Sequence, residues 1–380
     1  MSTFLGRSLQ MTHFNKFFNN LISSQKESRL RKVVLFPLCL LSFFYGWAVS
    51  ARIFLYARGI FSTHSLPCKV VSVGNITLGG TGKTPFVCLL SEMIQARGFR
   101  VAILSRGYKG NFKDPFALVT DGERILMGAR EAGDEPYLLA EKLRGVPVIV
   151  GKERWLSGKY AVERFQTEVV ILDDGFQHLP LKRDLNLLLI DSSSPFGNGY
   201  VFPRGVLREP LKELCRADAL ILTKAHDCAN IKNLKENLKK KLVAYPIFET
   251  DYTPGEVRIA GSLRALPSGH LKGKKILAFS GLARPESFQK TLLGLEAKVA
   301  TVEAFPDHHW YVQQDVERLW QEAAELNVDA LVTTEKDMVR LKDCSMGPLP
   351  LWVLSIQHVF EGDQQSRFEE FLFSRLGPGR

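Results

Sequence analysis

The sequence predicts an α/β protein with a mostly parallel sheet, a smaller C-terminal α/β domain and a membrane-associated helix near the N-terminus. Three observations carry that prediction. A glycine cluster closing on Gly-Lys-Thr sits between an apolar strand and a helix, in "VVSVGNITLGGTGKTPFV" (70–87). Further runs rich in Val, Ile and Leu follow it without strict alternation, as strands buried on both faces do. An uncharged run of 17 residues, Val33 to Val49, lies among basic side chains.

That run belongs to the first division, residues 1–58, a basic extension with a membrane-anchor helix. Eight basic side chains (Arg7, Lys16, Lys26, Arg29, Arg31, Lys32, Arg52, Arg58) stand here against one acid, Glu27, so +7 of the chain's +10 is local to the apolar run. Placed there, the excess charge suits anionic headgroups, at about 1 kcal/mol per basic residue near a membrane surface, and no nucleic-acid partner is expected. As a helix the run would measure about 25 Å against a hydrocarbon core of roughly 30 Å, marginal as a span and comfortable in one leaflet. Pro37 and Gly46 weaken a straight span, while Tyr45 and Trp47 suit an interfacial belt. A signal peptide ending near "AVSA" (48–51) and a buried core helix stand as alternatives. The six cysteines (39, 68, 88, 215, 228, 344) form no C-x-x-C and read as reduced thiols, without zinc or disulfides.

Residues 59–250 form a P-loop nucleotide-binding core domain. Its strands are "KVVSV" (69–73), "RVAIL" (100–104), "VPVIV" (146–150), "EVVILDD" (168–174), "LNLLLID" (185–191) and "DALILTK" (218–224), with a helix after the glycine loop through about Arg97. Residues 251–380 form the smaller domain, with strands "KKILAFSGL" (274–282), "KVATVEAF" (298–305), "DALVTTE" and "LWVLSI", a helix opening near Pro285, and helical periods in "QQDVERLWQEAAEL" (313–326) and "SRFEEFLFSRL". Pro and Gly punctuation across 245–272 marks the boundary.

The chemistry-bearing motifs begin with the loop Thr77, Leu78, Gly79, Gly80, Thr81, Gly82, Lys83, Thr84. Its second half fits G-x-x-x-x-G-K-[ST], and Thr77 stands where the first glycine belongs. Lys83 is expected on the β- and γ-phosphates of ATP and Thr84 on Mg²⁺. Asp173 and Asp174 end an apolar strand, as carboxylates that hold Mg²⁺ or its water shell do. They point to opposite sides and need not share a role. In "GDEP", Asp134 and Glu135 either orient an acceptor hydroxyl or cap the next helix. In "FPDHHWY", Asp307, His308 and His309 lack a completing metal-ligand set, which leaves proton relay or a structural histidine. Arg204, Arg208 and Glu209, in "PFGNGYVFPRGVLREP", clamp an anion or form a salt-bridged loop, and Tyr108 follows a strand end in "SRGY".

Together "SVGNITLGGTGKTP", "SRGYKG", "GDEP", "VILDDGFQH", "GNGYVFPRGVLREP", "FPDHH" and "VTTEKDMVRL" resemble the tetraacyldisaccharide 4'-kinase family of lipid A biosynthesis, from about Leu35 to Leu354. The resemblance implies transfer of the ATP γ-phosphate to the 4'-hydroxyl of tetraacyldisaccharide 1-phosphate, giving lipid IVA, with Mg²⁺. It implies a monotopic enzyme at the cytoplasmic face of the bacterial inner membrane. It makes Asp134 the catalytic acid/base, working with His308 beside Asp307, and gives Asp173 and Asp174 metal- and acceptor-site roles. Tyr108, Glu135, Gln177, Arg208 and Glu209 then line the phosphate and acceptor pocket. A monomer is expected. Two other classes compete. A membrane-localised ATPase of the Min type shares the G-G-x-G-K-T loop, but its signature lysine would replace Leu78. A GTP-dependent switch is suggested by "TKAHD" (223–227), where the aspartate comes one residue late.

Overall fold

The computed structural model describes residues 35–228, 230–241, 245–262 and 264–378. The basic flank at Arg29, Arg31 and Lys32 and the first residues of the apolar run, Val33 and Val34, lie outside them. The chain contains strands β1 (Lys69–Asn75), β2 (Val101–Ser105), β3 (Phe116–Thr120), β4 (Val148–Gly151), β5 (Val169–Asp173), β6 (Leu185–Asp191), β7 (Ala219–Thr223), β8 (Ile247–Ile259), β9 (Ala265–Pro267), β10 (Lys275–Ser280), β11 (Lys298–Ala304), β12 (Ala330–Thr334) and β13 (Leu351–Phe360). They are divided between two compact units, each assembled from separated stretches of sequence.

The first unit takes the described residues up to Lys83, with Val169–Asp251 and the C-terminal helix Gln364–Leu376. β1 pairs in parallel with β5 on one side and β6 on the other, β6 with β7, and β7 with the start of β8. Every residue of β6 is buried, which is why "LNLLLID" reads as an unbroken apolar run rather than an alternating one. Its core gathers Ile76, Phe176, Leu188, Ile190, Leu207, Leu220 and Leu222.

The helix Phe36–Ala57 also belongs to this unit. Its 22 residues extend beyond the apolar run, to about 33 Å. It is long and apolar enough to cross a membrane, and little of it is buried. Pro37 falls in its first turn, where a missing N–H costs nothing, and the helix continues unbroken through Gly46. Gly46 is a point of close approach instead: a Cβ there would meet Val201 Cγ2 at 3.4 Å. On the same side Ser42 Oγ donates to the Val201 carbonyl at 2.8 Å and accepts from the Arg204 N–H at 2.8 Å. Phe36, Leu40, Leu41, Phe43, Phe44, Trp47 and Phe54 face outward.

The second unit takes Thr84–Glu168 and Tyr252–Val359. β4 pairs in parallel with β2 and antiparallel with β3. β10 pairs in parallel with β11 and β12, and β12 with β13. Within the stretch expected to be a punctuated boundary, β8 is one strand of 13 residues, whose last part pairs antiparallel with β9. Phe279, Tyr311, Val316, Leu319 and Trp320 fill one core cluster of this unit, and Ile276, Phe288, Leu292 and Trp352 another.

Candidate active site

The glycine loop leaves β1 at Asn75. Gly79 (φ 105°) and Gly82 (φ 79°) adopt the left-handed backbone that glycine alone takes cheaply. Thr77 stays extended and bridges antiparallel to Leu207, so a β-branched residue fits where the common pattern has glycine. Leu78 continues this pairing, its N–H donating to the Val206 carbonyl at 2.7 Å. Asn75, buried at the strand end, donates from Nδ2 to the Thr77 carbonyl at 2.8 Å. The helix Lys83–Ala96 then opens, with Thr84 buried as its second residue.

Lys83 Nζ lies 3.3 Å from Asn75 Oδ1 and 3.5 Å from Asp174 Oδ1. Asp174, just past β5, takes a left-handed backbone (φ 51°) and is 34% exposed, whereas Asp173 is buried. The two neighbours therefore occupy different surroundings. Arg208 Nη1 donates to both Asp174 oxygens, at 3.0 and 2.8 Å, and to Gln177 Oε1 at 3.5 Å. Gln177 Nε2 donates to the Asn75 carbonyl at 3.0 Å. Lys83, Asp174, Gln177 and Arg208 are thus gathered around Asn75, which the sequence reading passed over. Glu209 is not among them: it is buried and bonded to Arg216. Burial and neighbouring Glu213 raise its pKa against the pull of Arg216 and Arg183.

The second cluster lies wholly in the second unit. Gly133 (φ 93°) packs so closely on the Tyr108 carbonyl that a Cβ would come within 2.7 Å of it. Asp134 then begins the helix Asp134–Lys142 as its first residue, with Gly133 in the cap position. Its Oδ1 accepts the Glu135 N–H at 3.0 Å. Its Oδ2 meets His308 Nδ1 at 2.8 Å and Arg340 Nε at 2.8 Å, with Arg340 Nη2 also bonded. Burial works to raise the Asp134 pKa, but the His308 hydrogen bond and the charges of Arg340, His308 and Lys336 outweigh it and hold the carboxyl well below its usual range. His308 itself sits at φ 59°, a left-handed position where His, Asn and Asp are enriched, in the turn after β11. Its Nε2 is 4.0 Å from Asp307 Oδ2, and its ring meets the Tyr108 ring edge-on at 5.9 Å. Glu135 pairs with Lys336. His309 faces elsewhere, toward Asp315 at 2.9 Å.

Arg340, Lys336 and Asp337 belong to "VTTEKDMVRL", where the sequence alone assigns them no role. The available signal was a charge-dense turn directly after an apolar strand. What could not be read was that Arg340, 206 positions away, would meet Asp134 beside His308.

A lysine on a glycine loop after a parallel strand, and a buried ionised carboxylate holding an imidazole, define a P-loop phosphotransferase. The profile of the Tetraacyldisaccharide-1-P 4'-kinase family matches residues 34–377. The chain belongs to that family. A relative from Desulfatibacillum aliphaticivorans, named tetraacyldisaccharide 4'-kinase, is 43% identical, over 90% of this chain and 92% of its own. One of the same name from Syntrophus aciditrophicus is 40% identical, over 89% and 92%. The crystal structure of an LpxK from Aquifex aeolicus in complex with ATP superposes with a TM-score of 0.73 at 32% identity, over 91% of this chain and 99% of the other.

Proposed function

We propose that the protein transfers the γ-phosphate of ATP to the 4'-hydroxyl of tetraacyldisaccharide 1-phosphate, forming lipid IVA, at the cytoplasmic face of the bacterial inner membrane. The observation that carries this reading is the Asp134–His308 contact. An alcohol acceptor must lose a proton as its oxygen attacks phosphorus, and an imidazole fixed by an ionised carboxylate has one nitrogen left to receive it. The acceptor oxygen bonds to the γ-phosphorus, the bond to the β,γ-bridging oxygen breaks, ADP leaves, and the proton passes to the dyad. Lys83 and the loop N–H groups neutralise and orient the triphosphate. Thr84 and Asp173 are each a hard oxygen donor of the kind Mg²⁺ prefers and each would serve as a ligand to it; the ion supplies charge neutralisation on the phosphates. In the first unit Arg208, Asp174 and Gln177 suit an anionic acceptor, with Glu209 behind them on Arg216; in the second, Tyr108, Glu135 and Asp307 surround the dyad.

A four-chain lipid resists leaving the bilayer, at roughly 0.8 kcal/mol per buried CH₂, so the enzyme must work at the surface. The outward Phe and Trp residues of Phe36–Ala57 supply the apolar contact for that. ATP supports the cytoplasmic side, and one chain contains all the groups used, consistent with a monomer.

The test is incubation of purified protein with γ-labelled ATP, Mg²⁺ and tetraacyldisaccharide 1-phosphate in mixed micelles. Label is expected in the lipid, dependent on all three. ATP hydrolysis indifferent to the lipid, with no labelled product, would replace this reading with an ATPase. Equal use of GTP without lipid would favour a switch.

A further inference from the structure

We propose that Arg340 is a positioning residue for this reaction: its guanidinium fixes Asp134 as a hydrogen-bond acceptor and thereby assigns the proton-accepting atom of the pair to His308 Nε2. The inference deepens the kinase reading and rests on it.

The argument is one of donors and acceptors around a single oxygen. Asp134 Oδ2 receives two nitrogens of Arg340 and faces His308 Nδ1 at 2.8 Å. A guanidinium has five N–H donors and no acceptor, and it keeps its charge in proteins. Arg340 Nη2 also lies 3.3 Å from His308 Nδ1, a contact only a bare Nδ1 could accept, but the carboxylate oxygen is the nearer partner at 2.8 Å. An unprotonated Nδ1 would oppose its lone pair to that of the carboxylate; a protonated Nδ1 donates to it. A neutral imidazole carries one N–H, so Nε2 is then the bare nitrogen. With Oδ2 taking three donors and the carboxyl held well below its usual range, the proton removed from an acceptor hydroxyl goes to Nε2 and not to Asp134.

Arg340 is itself held from behind. Its Nη1 donates to the Gly281 carbonyl at 2.9 Å and to Asp337 Oδ1 at 3.2 Å. Asp337 is tied in turn by the Gly281 N–H at 2.8 Å, the Tyr311 hydroxyl at 3.0 Å and the Thr334 hydroxyl at 2.6 Å. The guanidinium is 1% exposed and cannot swing to another partner. The other charges near the pair are Lys336, engaged by Glu135, and Asp307, 4.0 Å from Nε2. The packed neighbours of the pair therefore leave Arg340 as its principal cation.

The experiment compares Arg340→Met and Arg340→Lys in the full chain. Losing the cation makes the dyad bind its proton more readily. Arg340→Met is expected to lower kcat about 30-fold, to leave the KM for ATP within about threefold, and to move the acid limb of kcat upward by about one pH unit. Arg340→Lys keeps the charge but loses the fork; kcat should fall about fivefold with the acid limb unmoved. An unmoved limb in Arg340→Met, or a lysine variant with unchanged kcat, would overturn the proposal. A ring-nitrogen NMR measurement on His308 at pH 8, without ATP or lipid, guards against a methionine variant that does not fold. Wild type should show the Nδ1–H tautomer. An Nε2–H tautomer in an active kinase sinks this inference alone; the Nδ1–H tautomer in a protein that labels no lipid sinks the kinase reading alone.

Discussion

The Lys83 cluster and the Asp134 cluster both pair carboxylates with cations, on opposite terms. Lys83 reaches Asn75 and Asp174 only at 3.3 and 3.5 Å, and the Asp174 and Arg208 side chains remain 34% and 24% exposed. Asp134 and Arg340 are 5% and 1% exposed, and Asp134 Oδ2 is saturated with donors. Lys83 in the first group is loosely engaged and can exchange its internal partners for those of an incoming anion. The second has no spare geometry and can only hold a neighbour still. A phosphate-binding lysine must let go of what it touches, whereas an orienting carboxylate must not.

The comparison breaks first at the dyad. Asp134→Ala and His308→Asn should each lower kcat by about 1,000-fold, with ATP affinity little changed. Asparagine is the informative replacement at 308 because it tolerates the left-handed backbone there. The double variant should be scarcely worse than the poorer single one, since residues acting as a unit are non-additive. Multiplicative losses in steady-state kinetics would return His308 to a structural role.

Lys83→Ala should cost at least about 100-fold in turnover by removing a main electrostatic stabiliser. Denaturant midpoints sharpen the contrast. Lys83 is 10% exposed but held only by two long contacts, so its loss should change stability by about 1 kcal/mol. Asp134→Ala strands a buried guanidinium and should cost about 3 kcal/mol. Equal destabilisation by the two would show that the clusters do not differ as described.

A pH series tests the Asp134 charge state. Its pKa is lower folded than unfolded, so its contribution is fully present above the ordinary carboxylate value near 4 and is lost as pH falls through the folded value. Asp134→Asn imitates the protonated form. The stability gap between wild type and this variant should stay constant from pH 7 to about 5 and narrow below about 4. A gap that widens in acid would contradict the direction of the shift.

The smallest effect concerns the exposed helix. Phe43→Ser with Trp47→Ser should weaken binding to anionic vesicles about tenfold or more while leaving the fold intact, because both side chains face outward. Unchanged flotation with vesicles would move the membrane contact elsewhere.

The same contrast explains what the sequence made legible. The loop Thr77–Thr84 could be read because its chemistry is contiguous: strand, glycines, lysine and helix follow one another within a dozen or so residues. The all-buried strands were equally plain, since β6 and β7 have no polar face to confuse the pattern. β8 was missed because its second half, "YTPGEVRI", is largely exposed or half-buried and contains Pro and Gly. β3 is a short, half-buried strand of the same kind. The Asp134 cluster was legible only in part. Resemblance joined Asp134 to His308, but the arginine that completes the group is supplied by a distant turn that no local pattern links to them.

One tether in the first unit sets a height. The stretch from Val201 to Pro210 is fastened to Phe36–Ala57 at Ser42 and Gly46, and the Tyr45 hydroxyl donates to the Arg208 carbonyl at 3.1 Å. Arg208 in turn grips Asp174 beside Lys83. For a helix seated in a bilayer, the distance from the lipid plane to this ion pair is then a fixed dimension of the molecule, as on a depth gauge. On the kinase reading proposed above, a headgroup presented at that plane would be measured by its reach before any group on it is recognised.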